Sequence, residues 1–157
     1  MFLHEAFPAD LIKIKLEAED KDEVFEELVD LYCQSKNTNA REEILEALKE
    51  RESKMSTGIQ KGIALPHGQT DAIDDVCGIL GISKKGIDYD ALDGQPVYVF
   101  FMLLAPKIDS ELFLRLLKRL ASLLRNPQFF TDLLAQNDPQ GANRIIKKYE
   151  DFYIASE

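Results

Sequence analysis

A histidine set between a proline and a glycine is a side chain arranged for presentation. In Gly62-Ile63-Ala64-Leu65-Pro66-His67-Gly68, Pro66 fixes the backbone just before the imidazole. Gly68 lets the chain turn away or a neighbour approach closely. Upstream lie Gly58 and Gly62 and the hydroxyls of Ser56 and Thr57. Backbone N–H and O–H donors gathered in this way suit a phosphate. The chemistry they favour is reversible phosphorylation of His67. Near neutral pH an unperturbed imidazole, pKa about 6.5, is largely uncharged and nucleophilic. The phosphoramidate it forms is labile, so the group can be passed on. Phosphoryl transfer asks a protein mainly for positioning and for charge to meet three anionic oxygens. Arg51, a planar and permanently charged fork, can supply that charge through two hydrogen bonds.

The residue types alone leave plainer roles open. Pro-His-Gly also suits a turn carrying a solvated histidine, and Ser56 and Thr57 suit turn caps. Arg51, within Lys49-Glu50-Arg51-Glu52, suits a solvated charge at a helix end.

These residues need elements to hold them. Ile12, Ile14 and Leu16 alternate with lysines and predict a short half-buried strand. Asp20 caps a following helix, with Glu23 completing a capping box and Val24, Leu28, Leu31 and Tyr32 on its apolar face. A second helix starts at Thr38 or Asn39 and runs through Ile44, Leu45 and Leu48 to about Glu52. Val76 to Ile82 and Val97 to Ala105 are continuous apolar runs and read as buried strands. The stretch from Ile87 to Pro96 contains Asp93-Gly94, a turn signal, and reads as an extended piece feeding a hairpin. Ser110 to Arg125 predicts a helix with Leu114, Leu117, Leu120, Ala121 and Leu124 on one side. Pro127 and Pro139, capped by Asn126 and Asp138, open two short helices that finish the chain. A helix pair, strands and then helices make an α/β or α+β sandwich with a mixed sheet.

Composition narrows the function. With 157 residues, 45% apolar and 30% charged, one domain with a real core is expected. The net charge of −9 argues against nucleic acid, whose phosphates demand a basic surface, and favours solubility or a basic protein partner. No apolar run approaches the roughly 20 residues of a membrane span. The start, Met1-Phe2-Leu3-His4-Glu5, lacks the pattern of a secretion signal, so a cytoplasmic protein is expected. In that compartment Cys33 and Cys77 are expected to be reduced, buried and small-apolar in role. Asp71, Asp74 and Asp75 lack a histidine at metal-binding spacing and read as a solvated loop. His4 lies near a chain end, where order is usually poor.

The segment from Arg51 to Gly68 closely resembles the active-site region of enzyme IIA of the bacterial phosphotransferase system. The resemblance is to the fructose/mannitol type (type 2), which includes the nitrogen-regulatory IIA proteins. It continues through Thr70-Asp71-Ala72, residues 86–97 and Phe100 to Pro106, and into the Leu-rich helix. It implies one EIIA type-2 domain over residues 1–157, a three-layer α/β/α sandwich with a mixed sheet flanked by helices. His67 matches the family's phosphorylated histidine, which accepts the group from phospho-HPr on Nε2. Arg51 matches the arginine beside the site, and Ser56, Thr57 and Gly58 match the loop that shapes it. No metal or organic cofactor is implied. The implied partners are an HPr-like donor and either a IIB component or a regulatory target protein, with no membrane insertion.

One departure stands out. The family usually carries a second histidine at the start of the Leu-rich helix, where this chain has Phe113 in Phe113-Leu114-Arg115-Leu116-Leu117. A phenyl ring packs against an imidazole but donates no hydrogen bond to phosphate. That gap favours a stand-alone regulatory protein over a free-standing sugar IIA, and leaves a third expectation, a binding module that is never phosphorylated.

Overall fold

The computed structural model describes residues 1–156, without the side chain of residue 60. Its elements are α1 (Leu3–Ala6), β1 (Ile12–Lys13), α2 (Lys21–Lys36), α3 (Arg41–Lys54), β2 (Gly58–Gln60), β3 (Ile63–Ala64) and β4 (His67–Gln69). Then come β5 (Cys77–Ile87), β6 (Val97–Ala105), α4 (Ser110–Leu123), α5 (Pro127–Leu134) and α6 (Pro139–Ala155).

The two long apolar runs form the centre, because residues flanked by strands and covered on both faces have no solvated side. β5 and β6 pair antiparallel, with Leu80 opposite Phe101. The expected turn closes between Ala91 and Gly94, whose N–H donates to the Ala91 carbonyl at 3.0 Å. β1 joins β5 in parallel, β3 and β4 join β6 in parallel, and β2 pairs antiparallel with β3. The sheet is mixed, in the order β1-β5-β6-β3-β2. From Val99 onward, β6 sends alternate side chains to opposite faces. Phe100, Met102 and Leu104 enter a core with α2 and α3. Val99, Phe101 and Leu103 enter a second core with α1, α4, α5 and α6. Helices on both faces of one mixed sheet make the expected three-layer α/β/α sandwich.

Several expectations need correction. The ladder of β1 stops at Lys13, although Ile12, Ile14 and Leu16 are all buried. Ile12 and Ile14 pack in one core and Leu16 in the other, because the chain bends at residues 14–15 before the Leu16 N–H rejoins β5 at the Ile82 carbonyl, 3.0 Å away. Asp20 caps α2 through the Glu23 N–H at 2.9 Å, but Glu23 reaches back to the Glu19 N–H, one residue beyond a capping box. α3 begins at Arg41, because the Thr38 hydroxyl accepts the Ala40 N–H at 3.3 Å in a turn of its own. The buried face of α4 is Phe113, Leu116, Leu120 and Leu123. Leu114 is instead 54% exposed, since the leucines are dense enough to draw two faces and Phe113 decides between them. α6 has 17 residues and is not short. Cys33 is only half-buried, while Cys77 is buried, and both are free thiols.

His4 is held, not loose. The fully buried Glu150 accepts hydrogen bonds from the Leu3 N–H at 2.6 Å and the His4 N–H at 3.2 Å. It also meets His4 Nδ1 at 3.2 Å and the Arg119 guanidinium at 3.2 Å. Asn143 donates to the carbonyls of His4 and Phe7, each at 2.9 Å. The chain start is thereby clamped to α6.

Candidate functional site

β3 and β4 lie end to end along one side of β6, interrupted at Leu65-Pro66. Pro66 has no N–H for the ladder, but its carbonyl accepts the Leu103 N–H at 3.0 Å. His67 therefore opens a strand, opposite Leu103. Of the two uses open to Gly68, the structure takes close approach. A Cβ there would lie 3.2 Å from the carbonyl carbon of Ala47, so α3 packs directly on β4. Arg51 is four residues beyond Ala47 and shares its helix face. The glycine thus brings Arg51 to the histidine, while strand alternation sends the His67 ring toward α4.

Two hydrogen bonds assign the imidazole. Nδ1 lies 2.7 Å from the Leu65 carbonyl, which can only accept, so Nδ1 carries the proton. Nε2 then keeps its lone pair and accepts from Arg51 Nε–H at 3.1 Å. Arg51 also donates to the Met55 carbonyl at 2.8 Å, satisfying an orphan acceptor at the end of α3. Phe113, almost fully buried, packs its ring 5.8 Å from the His67 ring at an interplanar angle of 53°. Burial is the main cause holding the His67 pKa below its ordinary value; the Leu65 carbonyl opposes it and the Arg51 cation adds to it. The result is a neutral imidazole with an aimed lone pair beside a permanent cation, which is the equipment of a nucleophile for an anionic electrophile.

His67, Arg51 and Phe113 are therefore brought together. Ser56 and Thr57 are turned elsewhere. The Ser56 hydroxyl accepts the Gly58 N–H at 3.2 Å, capping a turn. Thr57 is buried and donates its hydroxyl to Glu52 at 2.6 Å, and its N–H to the same carboxylate at 2.7 Å. A Cβ on Gly58 would strike Tyr89 at 2.8 Å, so this glycine admits the tyrosine. Tyr89 OH lies 2.9 Å from the Thr57 hydroxyl and 3.3 Å from Glu52. Lys21 completes the group with a 3.1 Å ion pair to Glu52. Burial and the neighbouring Glu52 charge push the Tyr89 pKa upward, so the phenol stays a donor.

The sequence reading missed Glu52, Tyr89 and Lys21. Glu52 sits in a charged run and looks solvated. Its spacing from Leu45 and Leu48, three and then four residues, nevertheless places it on the buried face of α3. Among the described residues no group of three His, Cys, Asp or Glu side chains is placed to hold a metal ion. Asp71 accepts the Lys107 N–H at 3.0 Å, and Asp74 and Asp75 are exposed. No helix among the described residues is long and apolar enough to cross a membrane.

Comparison with known proteins gives this geometry a context. Residues 5–149 match the family described as phosphoenolpyruvate-dependent sugar phosphotransferase system, EIIA 2. The chain is 34% identical over 139 residues to a PTS system fructose-specific EIIABC component of Bacillus subtilis, spanning 88% of this chain but 22% of that protein's length. It is 32% identical over 139 residues to the PTS system fructose-specific EIIA component of Haloferax volcanii, covering 88% of this chain and 90% of that one. A nitrogen regulatory protein of Bradyrhizobium diazoefficiens is 30% identical over 131 residues, covering 83% and 85%. Among solved structures, nitrogen regulatory protein IIA-Ntr of Neisseria meningitidis superposes with a TM-score of 0.84 at 26% identity, over 92% of this chain and 98% of that one. The strand-borne histidine, its arginine and the sandwich that joins them thus stand in a chain that belongs to the phosphotransferase-system EIIA 2 family.

Proposed function

We propose that this chain is a phosphoryl carrier of the bacterial phosphotransferase system, residues 1–157 acting as one EIIA unit in the cytoplasm. The observation that supports it most is the pair of hydrogen bonds on His67, with Nδ1–H held by the Leu65 carbonyl and the Nε2 lone pair facing Arg51. The donor is an HPr-like phosphocarrier with its own phosphohistidine. The Nε2 lone pair of His67 attacks phosphorus; the new P–N bond forms as the donor's P–N bond breaks. The Nδ1 proton stays on the ring, and Arg51 turns from Nε2 to the phosphoryl oxygens. Ser56, Thr57 and Gly58 shape the site indirectly, by fixing the turn that follows α3.

The recipient is a regulatory target or a IIB component. The phenyl ring of Phe113 beside His67 favours the nitrogen-regulatory reading, in which free and phosphorylated forms bind a target with different affinity. The likeness to a separate fructose-specific EIIA keeps sugar transport as the second reading.

Incubation with phospho-HPr, followed by intact mass, tests the carrier. A single phosphate on the wild type and none on His67→Ala is expected. A folded wild type that takes none, beside a working IIA control, overturns the carrier and leaves a binding module. Transfer onward to a cognate IIB then separates sugar transport from regulation.

A further inference from the structure

At the end of α4 opposite to Phe113, the molecule has a cavity of about 260 Å³ that the phosphoryl chemistry does not use. Its apolar walls include Ile59 of β2, Ile63 of β3, Leu124 and Phe130 of α5. The β2–β3 connection is built to stand against this space. Lys61 and Gly62 have φ of 52° and 82°, the paired positive values of a two-residue hairpin turn. A Cβ on Gly62 would lie 3.1 Å from Phe130, so the glycine lets that ring close against the hairpin. The Lys61 N–H is tied to Asp93 at 3.0 Å, which holds the turn.

Two cations, Lys61 and Arg125, also line the cavity, and no carboxylate does among the described residues. That is notable in a chain with 28 acidic and 19 basic residues. Neither side chain forms an ion pair among the described residues, whereas Lys13, Lys21 and Arg119 do. An apolar cleft with unpaired cations complements a ligand with an apolar body and one negative end. The volume lies just below the ~300–1,000 Å³ of pockets for drug-sized ligands and suits a small body such as a short alkyl chain.

We propose that this cavity binds a small amphipathic anion: a carboxylate held by Lys61 and Arg125, with its hydrocarbon body between the hairpin and the α4–α5 corner. The site is separate from His67, so it stands or falls independently of the carrier reading.

The test is titration of the ¹⁵N-labelled protein with octanoate, octan-1-ol and octylammonium, followed by amide shifts. Octanoate is expected to saturate signals of Gly62, Ile63, Leu124 and Phe130 while α2 stays still. Octan-1-ol and octylammonium are expected to bind at least about tenfold more weakly. Arg125→Gln and Lys61→Asn, the latter suited to positive φ, should each weaken octanoate several-fold, and Ala121→Phe should block it. All three variants lie away from the carrier site, and their folding is read from the same spectra. No saturable response to octanoate, equal affinity for the alcohol or amine, or indifference to both charge variants would overturn the proposal.

Discussion

His67 is held neutral by its surroundings, and the sign of that effect has consequences for both stability and rate. Its folded pKa lies below the ordinary 6.5, through burial first, with Arg51 adding to it. Between the two values the unfolded chain binds more protons than the folded one. The stability associated with neutral His67 is therefore present above about pH 6.5 and is lost as the pH falls through the lower folded value. Uptake of the phosphoryl group from phospho-HPr should be level above the folded His67 pKa, itself below 6.5, and decline as the pH falls through that value and Nε2 becomes protonated. Arg51→Gln should raise the His67 pKa, readable in the ring proton shifts, and slow uptake by about 10²-fold or more. A wild-type midpoint above 6.5, or a variant midpoint that falls, contradicts this account. Phe113 allows a second test at the same scale. Phe113→His adds a donor beside the ring, and is expected to slow spontaneous loss of the phosphoryl group by about tenfold. Unchanged kinetics of gain and loss would remove Phe113 from the account of phospho-form stability.

At the scale of elements, the site depends on how closely α3 lies on β4. Gly68→Ala places a methyl 3.2 Å from the Ala47 backbone, which must yield by a few tenths of an ångström. Overpacking of this kind costs about 1–3 kcal/mol. It is expected to lower the urea midpoint and to slow phosphorylation, because Arg51 retreats with its helix. Normal uptake in a destabilised variant would show that the helix moves without the arginine. This contact was half legible: the sequence marks Gly68 as a place of turning or approach, and only packing decides which. The apolar parts of the two central strands were legible, because long apolar runs have one stable location, but the extension of β5 through Ser83-Lys84-Lys85-Gly86 to Ile87 was not, since those residues break the apolar run. The face of α4 was not, since Leu114 and Leu116 are equally apolar and only the choice of partner separates them. Arg51 and His67 were legible as a pair through their motif. The Glu52, Thr57 and Tyr89 group was not, since its members come from a charged run, a loop and a strand end that only the folded chain joins.

Across the whole molecule, two cores flank one sheet, and polar clamps fasten the periphery. The Glu150 carboxylate joins α1, α4 and α6 with its charge fully buried. Such an ion is tolerated only while its partners are present. Arg119→Met should cost about 3–5 kcal/mol in chemical denaturation while leaving the His67 ring shifts unchanged. A loss below about 1 kcal/mol would show that the backbone donors of Leu3 and His4 suffice alone.

In the proposed carrier, the hydrogen bond from His67 Nδ1 to the Leu65 carbonyl would also govern the return journey of a phosphoryl group held on Nε2. Because the proton stays on Nδ1, the ring departs as neutral imidazole and never as an imidazolate anion. A neutral leaving group makes the phosphoryl group a high-energy one, ready for the next acceptor. On that proposal one carbonyl would make the same ring a competent nucleophile on arrival and a good leaving group on departure, which is what reversible relay at a single atom requires.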